Sequence, residues 1–195
     1  MAHFEIQTVH LVFKTHLDVG YTDYTHNVVT KYFNTYIPQA LDVAEQLRTR
    51  GGPERLTWTT GAWLIYEYLA QAGLNERARL EAAITRGDIA WHGIPFTWWS
   101  EFLDPSLFAC GLSLSQELDR RYGKHTIAAK MTDVPGHTRS IVPLLAQAGI
   151  QFLHIGVNPA STPPEVPPVF IWRDPPSGTE ILVMYHKRWG AFQPV

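Results

Sequence analysis

Short apolar segments alternate with amphipathic segments along most of this 195-residue chain, and this alternation constrains the fold more than any other feature. The apolar segments have strand length, and we predict strands at residues 8–13, 55–60, 88–95, 124–131 and 151–157. The intervening segments carry apolar side chains spaced by three and four, which is typical of helices packed against a sheet. Strands that alternate with helices favour an α/β fold with a largely parallel sheet, so we expect one α/β domain over residues 1–195.

Prolines and glycines mark several boundaries within this pattern. Residues 24–49 predict an amphipathic helix with a step at Pro38, because a proline inside a helix removes a backbone hydrogen bond. Another helix is predicted between Pro105, near its start, and Gly123, just past its end. The Pro-rich run 158–168 predicts an irregular loop, and VFIWRDPPSGTEILVMYH predicts two strands around a DPPSG turn.

Composition and charge argue against several classes of function. The formal net charge is -2, which leaves no excess of Lys and Arg for binding nucleic acid or an acidic membrane surface. The single cysteine, Cys110, excludes an internal disulfide and a thiolate zinc cluster. The N-terminal residues lack the pattern of a signal peptide, and no apolar run reaches the roughly 18–20 residues that span a bilayer. We therefore expect a cytoplasmic protein with no nucleic-acid or membrane partner.

Side chains that can bind a metal follow several of the predicted strands. His16 and Asp18 follow the first strand, Asp133 and His137 follow the fourth, and His186 follows the last. In α/β folds, binding sites form at the carboxyl ends of the strands. His-x-Asp in an extended segment places both side chains on one side, and zinc accepts N and O ligands at about 2.0–2.2 Å. The pattern predicts a metal site in which Asp133 is a third ligand from across the sheet.

The same residues have structural interpretations that the sequence leaves open. His16 can donate a hydrogen bond to Asp18, and Asp133 can close an Asx-turn or cap a helix. His92 and His154 lie on apolar segments, where a core histidine is the preferred interpretation. The aromatic content, 12% with seven Trp, suits stacking on sugar rings and equally suits a large apolar core.

Two segments resemble a known enzyme family. VHLVFKTHLDVGYTD resembles the opening strand and His-Ser-His-x-Asp-x-Gly-Trp loop of glycoside hydrolase family 38, the retaining α-mannosidases. TDVPGHT is similar to that family's Asp-Pro-Phe-Gly-His-Ser motif, and WTTGAWLIYEYL and ITRGDIAWHGIPFTWWSEFLDPSLF follow its order of strand, helix and aromatic loop. The resemblance is close only at the two motifs and fits a divergent microbial branch. It implies an irregular β/α barrel with a largely parallel sheet, of the type shared with polysaccharide deacetylases and incomplete at the C-terminal end. It also implies that residues 1–195 are the N-terminal part of a longer catalytic protein.

The resemblance implies a role for each matching residue. His16 and Asp18 match two zinc ligands, and Asp133 matches the residue that is both a zinc ligand and the catalytic nucleophile. Tyr21 stands where the family has a Trp that stacks on the sugar. In that mechanism, zinc coordinates two adjacent hydroxyls of a mannose and the carboxylate attacks the anomeric carbon, giving a covalent glycosyl-enzyme. We therefore expect one zinc ion and a carbohydrate substrate.

Other site residues have weaker support. We expect substrate contacts from His137 in the second motif, from Trp98 in the aromatic loop and from His186. The family's fourth zinc ligand, a His, and its acid/base Asp lie beyond the point where this chain stops. His186 is the candidate replacement for the ligand, and Glu101 and Asp104 are the candidates for the acid, without a motif behind any of them. We therefore expect weak or absent catalysis from these 195 residues alone.

Two alternative functions remain open at this point. One is a zinc-dependent carbohydrate deacetylase, in which the metal activates a water molecule and a carboxylate acts as base. Such a site usually has more His ligands than the one convincing ligand found here, which favours the glycoside hydrolase. The other is a non-catalytic glycan-binding module that keeps the fold, which the missing acid/base supports.

Overall fold

A computed structural model describes residues 11–158 and 160–187, and its strands form two sheets. The first sheet has the order β1 (Phe13–Lys14), β2 (Trp58–Gly61) and β3 (Ile89–His92), all parallel. The second has the order β4 (Ala128–Val134), β5 (Phe152–Val157), β7 (Thr179–His186) and β6 (Val169–Asp174). In the second sheet, only β6 is antiparallel to its neighbour, and it pairs with β7 across the predicted DPPSG turn. An α/β fold with largely parallel sheets is confirmed.

The helices connect and cover these strands. They are α1 (Thr25–Lys31), α2 (Ile37–Thr49), α3 (Ala62–Gln71), α4 (Leu74–Arg86), α5 (Pro105–Tyr122) and α6 (Ile141–Gln147). The boundaries of α5 are those that its sequence predicts, since Asp104 caps its first turn and Gly123 ends it in the left-handed conformation. Among the described helices, none has both the length and the apolarity that crossing a lipid bilayer requires.

Two clusters of buried apolar side chains lie between the helices and the sheets. The cluster of the first sheet includes Ile37, Leu41, Leu64, Ile65, Leu80, Ile84 and Ile89. The cluster of the second sheet includes Phe108, Leu112, Met131, Val142, Leu145, Leu153 and Val183. In both sheets the helices therefore cover one face, and polar side chains collect on the other, which we call the concave face.

The two sheets meet where β3 ends and β4 begins. The Gly93 N–H donates a hydrogen bond to the Ala128 carbonyl at 2.9 Å. A Cβ atom at Gly93 would lie 2.5 Å from Cδ1 of Ile150, so only glycine fits the junction without displacing that side chain.

The described residues form two open sheets, and the closed barrel that the family resemblance implies is not present among them. Closure of a barrel pairs the two outer edges, which here are β1 and β6. Phe13 on β1 and Val169 and Ile171 on β6 are exposed. The described part of β1 has two residues, which is too short for a full ladder of hydrogen bonds.

The predicted step in the helix over residues 24–49 is present as a π-helical segment, Tyr32–Tyr36, between α1 and α2. Pro38 lies in the first turn of α2. It lacks an N–H, and its ring crowds the carbonyl four residues earlier, which lies inside the π segment. A π turn relieves this crowding, and it places the Tyr32 hydroxyl 3.3 Å from the His16 carbonyl oxygen, to which it donates.

Candidate metal centre

His16 and Asp18 lie in the extended segment after β1 and face the same side. The Thr15 N–H donates to the Thr59 carbonyl at 3.1 Å, so sheet-like pairing continues to the residue before His16. Leu17, between the two polar residues, is 4% exposed and packs into the core. Because successive residues of an extended chain alternate sides, burial of Leu17 turns both neighbours toward the concave face.

Asp133 reaches the same region from β4 through an unusual backbone conformation. Its φ is 64°, a left-handed value that no other non-glycine residue has in the described part of the chain. The pairing with β5 changes register between Thr132 and Val134, so Asp133 is the bulged residue of the strand. β4 continues through Asp133 rather than ending before it, and α6 begins after Ser140, so Asp133 does not cap that helix. Backbone strain of this kind is concentrated at functional sites.

The three side chains converge at the strand ends. Nε2 of His16 lies 2.9 Å from Oδ1 of Asp18 and 3.5 Å from Oδ2 of Asp133. One candidate ligand atom from each residue lies within 4.8 Å of the others, and no second group of this kind occurs in the described ranges. The side chains are 26%, 25% and 23% exposed, in chain order, so solvent and small ions can reach them.

Hydroxyl groups contact the opposite side of the His16 ring. Nδ1 lies 3.1 Å from Oγ1 of Thr132 and 3.4 Å from Oγ1 of Thr97, and either oxygen can accept a hydrogen bond from an Nδ1–H. With the proton on Nδ1, the lone pair of Nε2 faces two carboxylates, which can only accept. A cation between these atoms satisfies all three groups, and the hydroxyls then orient the ligand in the way that outer partners commonly orient metal-bound histidines.

Asn158 fixes the orientation of the Asp133 carboxylate. Its side-chain amide donates to Oδ1 of Asp133 at 2.7 Å, which leaves Oδ2 turned toward His16. Asn158 follows β5, the strand next to β4, so two neighbouring strand ends contribute to the same carboxylate. One imidazole and two partly buried carboxylates, with a net charge of about -2, fit a divalent cation that accepts mixed N and O ligands, such as zinc. A His/Asp/Asp group that could hold a metal ion is therefore present.

The structure does not bring the other predicted site residues into this cluster. Tyr21 is 89% exposed, in the loop before α1. Nδ1 of His137 lies 3.3 Å from Oγ of Ser100, and burial lowers the pKa of His137 to about 4. Nδ1 of His186 lies 2.7 Å from Nε2 of His154. Their predicted contacts with a sugar remain predictions.

Trp98 has a clear packing role in the structure. Its ring centroid lies 4.9 Å from that of Phe108, and a Cβ atom at Gly111 would lie 2.3 Å from Cη2 of Trp98. The indole therefore fills the space beside α5, and a contact with substrate is an additional role that stays a prediction.

The two acid candidates have different surroundings. Asp104 accepts hydrogen bonds from the backbone N–H and the hydroxyl of Ser106, at 2.8 and 2.6 Å, and these bonds lower its pKa. Glu101 is exposed, and its Oε1 lies 3.9 Å from the position of a Cβ built on Gly136, in the loop that follows Asp133. The lowered pKa of Asp104 is unsuitable for a general acid, and Glu101 lies beside the loop that follows Asp133, so the surroundings favour Glu101 over Asp104.

Sequence reasoning missed the groups that support the cluster. Thr132, Thr97 and Tyr32 contact His16, and Asn158 contacts Asp133. Asn158 could have been predicted as a site residue, because it is a polar residue that directly follows a predicted strand. The hydroxyl residues carry no signal of their own, since their positions depend on which strands become neighbours.

Solved structures with a similar arrangement of strands and helices include an α-mannosidase, a glycosyl hydrolase family 38 protein and a 4-α-glucanotransferase. An α-mannosidase from Enterococcus faecalis V583 has a TM-score of 0.72 and 13% identity, covering 89% of this chain and 19% of its own. A glycosyl hydrolase family 38 protein from E. faecalis has a TM-score of 0.65 and 10% identity, covering 91% of this chain and 18% of its own. A 4-α-glucanotransferase from Thermococcus litoralis has a TM-score of 0.61 and 15% identity, covering 89% of this chain and 27% of its own.

At these identities the similarity shows a glycosidase-like fold and nothing finer. The chain spans less than a third of the length of each of these three proteins. No family model and no curated protein matches the sequence.

Proposed function

We propose that this chain forms the metal-binding and nucleophile-bearing part of a retaining glycoside hydrolase that acts on α-mannoside-like glycans. The two motifs that resemble family 38 and the fold shared with an α-mannosidase support this proposal. The observation that carries it is the bulge at Asp133, which turns a carboxylate out of its expected place in β4 and toward His16 and Asp18.

In the proposed reaction, Asp133 is the nucleophile. A carboxylate oxygen attacks the anomeric carbon, a bond to that carbon forms, and the bond from the carbon to the leaving oxygen breaks. The leaving oxygen takes a proton from an acid. Water then hydrolyses the glycosyl-enzyme by attacking from the face that the leaving group occupied, so the configuration at the anomeric carbon is retained. The hydrogen bond from Asn158 holds Oδ1, which restricts the rotation of the carboxylate before attack.

His16, Asp18 and Asp133 are the residues that would hold a zinc ion. When bound, zinc would orient two adjacent sugar hydroxyls and favour the ionised form of Asp133. Thr132 and Thr97 would keep Nε2 of His16 free for the ion by accepting from Nδ1. Tyr32 would fix the backbone of the same residue through its carbonyl.

Glu101 and Asp104 are the candidates for the acid/base residue. Glu101 is the better of the two candidates, because it lies beside the loop that follows Asp133. The α-mannosidase of similar fold is about five times as long as the region that matches this chain. An enzyme of that size has many residues outside this region that could supply the acid. Further strands would also be needed to close the two sheets into a barrel.

The surroundings of the cluster do not favour the alternative functions. A deacetylase of the kind considered above uses several His ligands, and the cluster contains one, His16. A non-catalytic glycan-binding module has no need for a strained carboxylate at Asp133.

An activated sugar tests the nucleophile without depending on the acid. We expect a 5-fluoro-α-mannosyl fluoride to label the zinc-loaded chain covalently, because fluoride leaves without protonation, the 5-fluoro group slows hydrolysis of the adduct, and the adjacent ring hydroxyls that zinc would orient are all retained. Intact-mass and peptide mass spectrometry should place one sugar on Asp133 and none on the Asp133→Asn variant. Asp23→Asn, which changes an exposed carboxylate near α1, should label like the wild type. A labelled residue other than Asp133, or no label on the zinc-loaded chain, would contradict the proposal.

Metal analysis tests the ligands separately. We expect His16→Ala and Asp18→Ala each to remove the bound zinc, as measured by elemental analysis after gel filtration. Unchanged zinc content in both variants would exclude the proposed ligand set.

A further inference from the structure

A row of basic side chains lies on the concave face beside the candidate metal centre, two residues earlier along β4 than Thr132. Lys14 from β1, Lys130 from β4, His154 from β5 and His186 from β7 form this basic row, and His92 from β3 lies beside it. Lys130 and Thr132 are two residues apart in β4 and share a face, so the row lies directly beneath the hydroxyl that contacts His16. The proposed reaction gives no role to Lys14, Lys130, His92 or His154, and it does not depend on the predicted sugar contact of His186.

The members of the row contact one another directly. Nζ of Lys130 makes a very short contact with Nδ1 of His154, and Nε2 of His154 lies 2.7 Å from Nδ1 of His186. The Lys14 side chain lies near enough to Lys130 to lower its pKa. The strand register explains the order, because Lys130 is paired with His154, while His186 is paired with Gly156 on the next level of the sheet.

The described residues provide no carboxylate partner for this row. Every ion pair of a lysine or arginine in the described ranges involves an arginine, and neither Lys14 nor Lys130 is among them. Burial and the neighbouring Lys14 lower the pKa of Lys130 to about 6, and burial together with Lys130 lowers the pKa of His154 to about 3. A positive charge without a partner is unfavourable in a half-buried place, so Lys130 gives up its proton readily, and an anion bound beside it would favour the charged form again.

We propose that the basic row is a binding site for a small oxyanion, either a free inorganic anion or the carboxylate of an acidic sugar. Lys130 occupies the centre of the row, and ammonium and imidazole N–H groups form charge-assisted hydrogen bonds with oxyanions. His154 links Lys130 to His186 through its two ring nitrogens, so His186 offers the next N–H donor along one direction and Lys14 along the other. The proposal requires neither the metal nor glycoside hydrolysis.

Anion binding to this row is expected to be coupled to protonation. The groups that face Lys130 are Lys14 from β1, His92 from β3, His154 from β5 and His186 from β7, all of them basic. A bound anion favours the charged form of Lys130, so the complex takes up protons that the free protein lacks near neutral pH. The affinity should therefore rise as the pH falls from 8 to 6.

Sulfate is the suitable probe, because its charge stays constant over this range. By isothermal titration calorimetry we expect sulfate to bind at least about tenfold more tightly at pH 6 than at pH 8, because uptake of up to one proton raises the affinity by up to about tenfold per pH unit. Lys130→Met should reduce the affinity at pH 6 by about tenfold or more, because it removes a charged donor and keeps much of the side-chain volume. Lys124→Met, which changes an exposed lysine before β4, should leave the affinity unchanged.

Equal sulfate affinity in wild type and a folded Lys130→Met variant would overturn the proposal, as would no binding at either pH. A measurement on the wild type covers the case in which that variant does not fold. Sulfate should shift the ring NMR signals of His154 and His186 and leave those of the exposed His26 and His125 in place. The opposite pattern of shifts would also overturn it.

Competition identifies the source of the oxyanion. If galacturonate displaces sulfate and neutral galactose does not, the site accepts the carboxylate of an acidic sugar. If sulfate binds and neither sugar competes, the site takes a free inorganic anion. Displacement by galactose as efficient as that by galacturonate would contradict an oxyanion site.

Discussion

Thr132 and Asp133 are adjacent in β4, yet they face the two different ring nitrogens of His16. Oγ1 of Thr132 lies 3.1 Å from Nδ1, and Oδ2 of Asp133 lies 3.5 Å from Nε2. Successive strand residues normally point to opposite faces of a sheet. The bulge and the left-handed φ of Asp133 remove this alternation, so one short stretch of backbone both orients the imidazole and supplies its neighbouring carboxylate.

The contact of Thr132 with His16 should contribute to metal affinity. We expect Thr132→Val to weaken zinc binding about 10–100-fold, because the hydroxyl that orients Nδ1 is lost while the shape is kept. Thr132→Ser retains a hydroxyl and should bind zinc nearly as the wild type does. Competition with a chromogenic chelator measures both affinities, and equal affinities for Val and Ser would show that the hydroxyl has no such role.

The backbone strain at Asp133 should be visible in stability. With zinc absent, Asp133→Gly should be more stable than Asp133→Ala by about 1 kcal/mol in the free energy of unfolding, because glycine adopts a positive φ without steric cost. Urea unfolding of the two variants measures this difference. The same pair of changes at Asp18, whose φ is not positive, should show the reverse order. If Ala is the more stable replacement at both positions, the left-handed conformation is wrong.

Asp88 should be a major contributor to stability outside the site. Its side chain is 1% exposed and accepts hydrogen bonds from Arg48 and from Arg86, at 2.9 Å in each case. Hydrogen bonds to charged groups typically contribute about 1.5–3 kcal/mol, and both arginines are about a third exposed and can be solvated, so Asp88→Asn should lower the free energy of unfolding by about 1.5–3 kcal/mol. Asp42→Asn, at an exposed pair with Arg79, should cost less than about 1 kcal/mol.

The contribution of Asp88 should also depend on pH. Burial favours a higher pKa, but the hydrogen bonds from Arg48 and Arg86 outweigh it and hold the pKa of Asp88 below its ordinary value. A carboxyl with a lowered pKa stabilises the folded state above its unfolded pKa of about 3.9, and this stabilisation is lost as the pH falls through the folded pKa. Urea unfolding of wild type and Asp88→Asn should therefore differ most near pH 7 and converge in acid. A gap that widens in acid would contradict the lowered pKa.

Gly61 should tolerate no side chain. A Cβ atom there would lie 2.1 Å from the carbonyl oxygen of Pro95, and a backbone atom cannot move away as a flexible side chain does. Gly61→Ala should lower the free energy of unfolding by about 1–3 kcal/mol. Gly136→Ala is the matched change, because its Cβ would meet only Oε1 of Glu101, at 3.9 Å. It should be neutral or slightly stabilising, and similar losses at both glycines would show that the contact with Pro95 is not decisive.

Local features of the site could be predicted from the sequence, and long-range features could not. The His16–Asp18 pair depends only on alternation along one extended segment, so the pattern is sufficient to predict it. Asp133 was assigned to the loop after β4, because a bulge depends on the register with β5 and leaves no mark in local composition. The contact between His16 and Thr132 depends on how the two sheets meet, which no local pattern specifies.

The strands and helices show the same division. Four of the five early strands and α5 lie where apolar spacing and residues such as Gly123 predict them. The first predicted strand, residues 8–13, overlaps β1 only at Phe13, because residues 11 and 12 are not part of a strand and residues 8–10 lie outside the described residues. β4 begins at Ala128 rather than at residue 124, because the preceding polar residues turn toward α5, where Thr126 contacts Asp119. The barrel was inferred from family resemblance rather than from the residues themselves, and the described residues leave both sheets open.

The junction at Gly93 gives the candidate metal centre a second property. His16 and Asp18 follow β1 of the first sheet and Asp133 lies in β4 of the second, while a backbone hydrogen bond from Gly93 to Ala128 joins the two sheets where β3 ends and β4 begins. An ion held by all three side chains would be a second cross-link between the two sheets, separate from that hydrogen bond. Chelation should then accelerate hydrogen exchange of the Gly93 amide, and any ligand that changes the angle between the sheets should change the affinity for the ion.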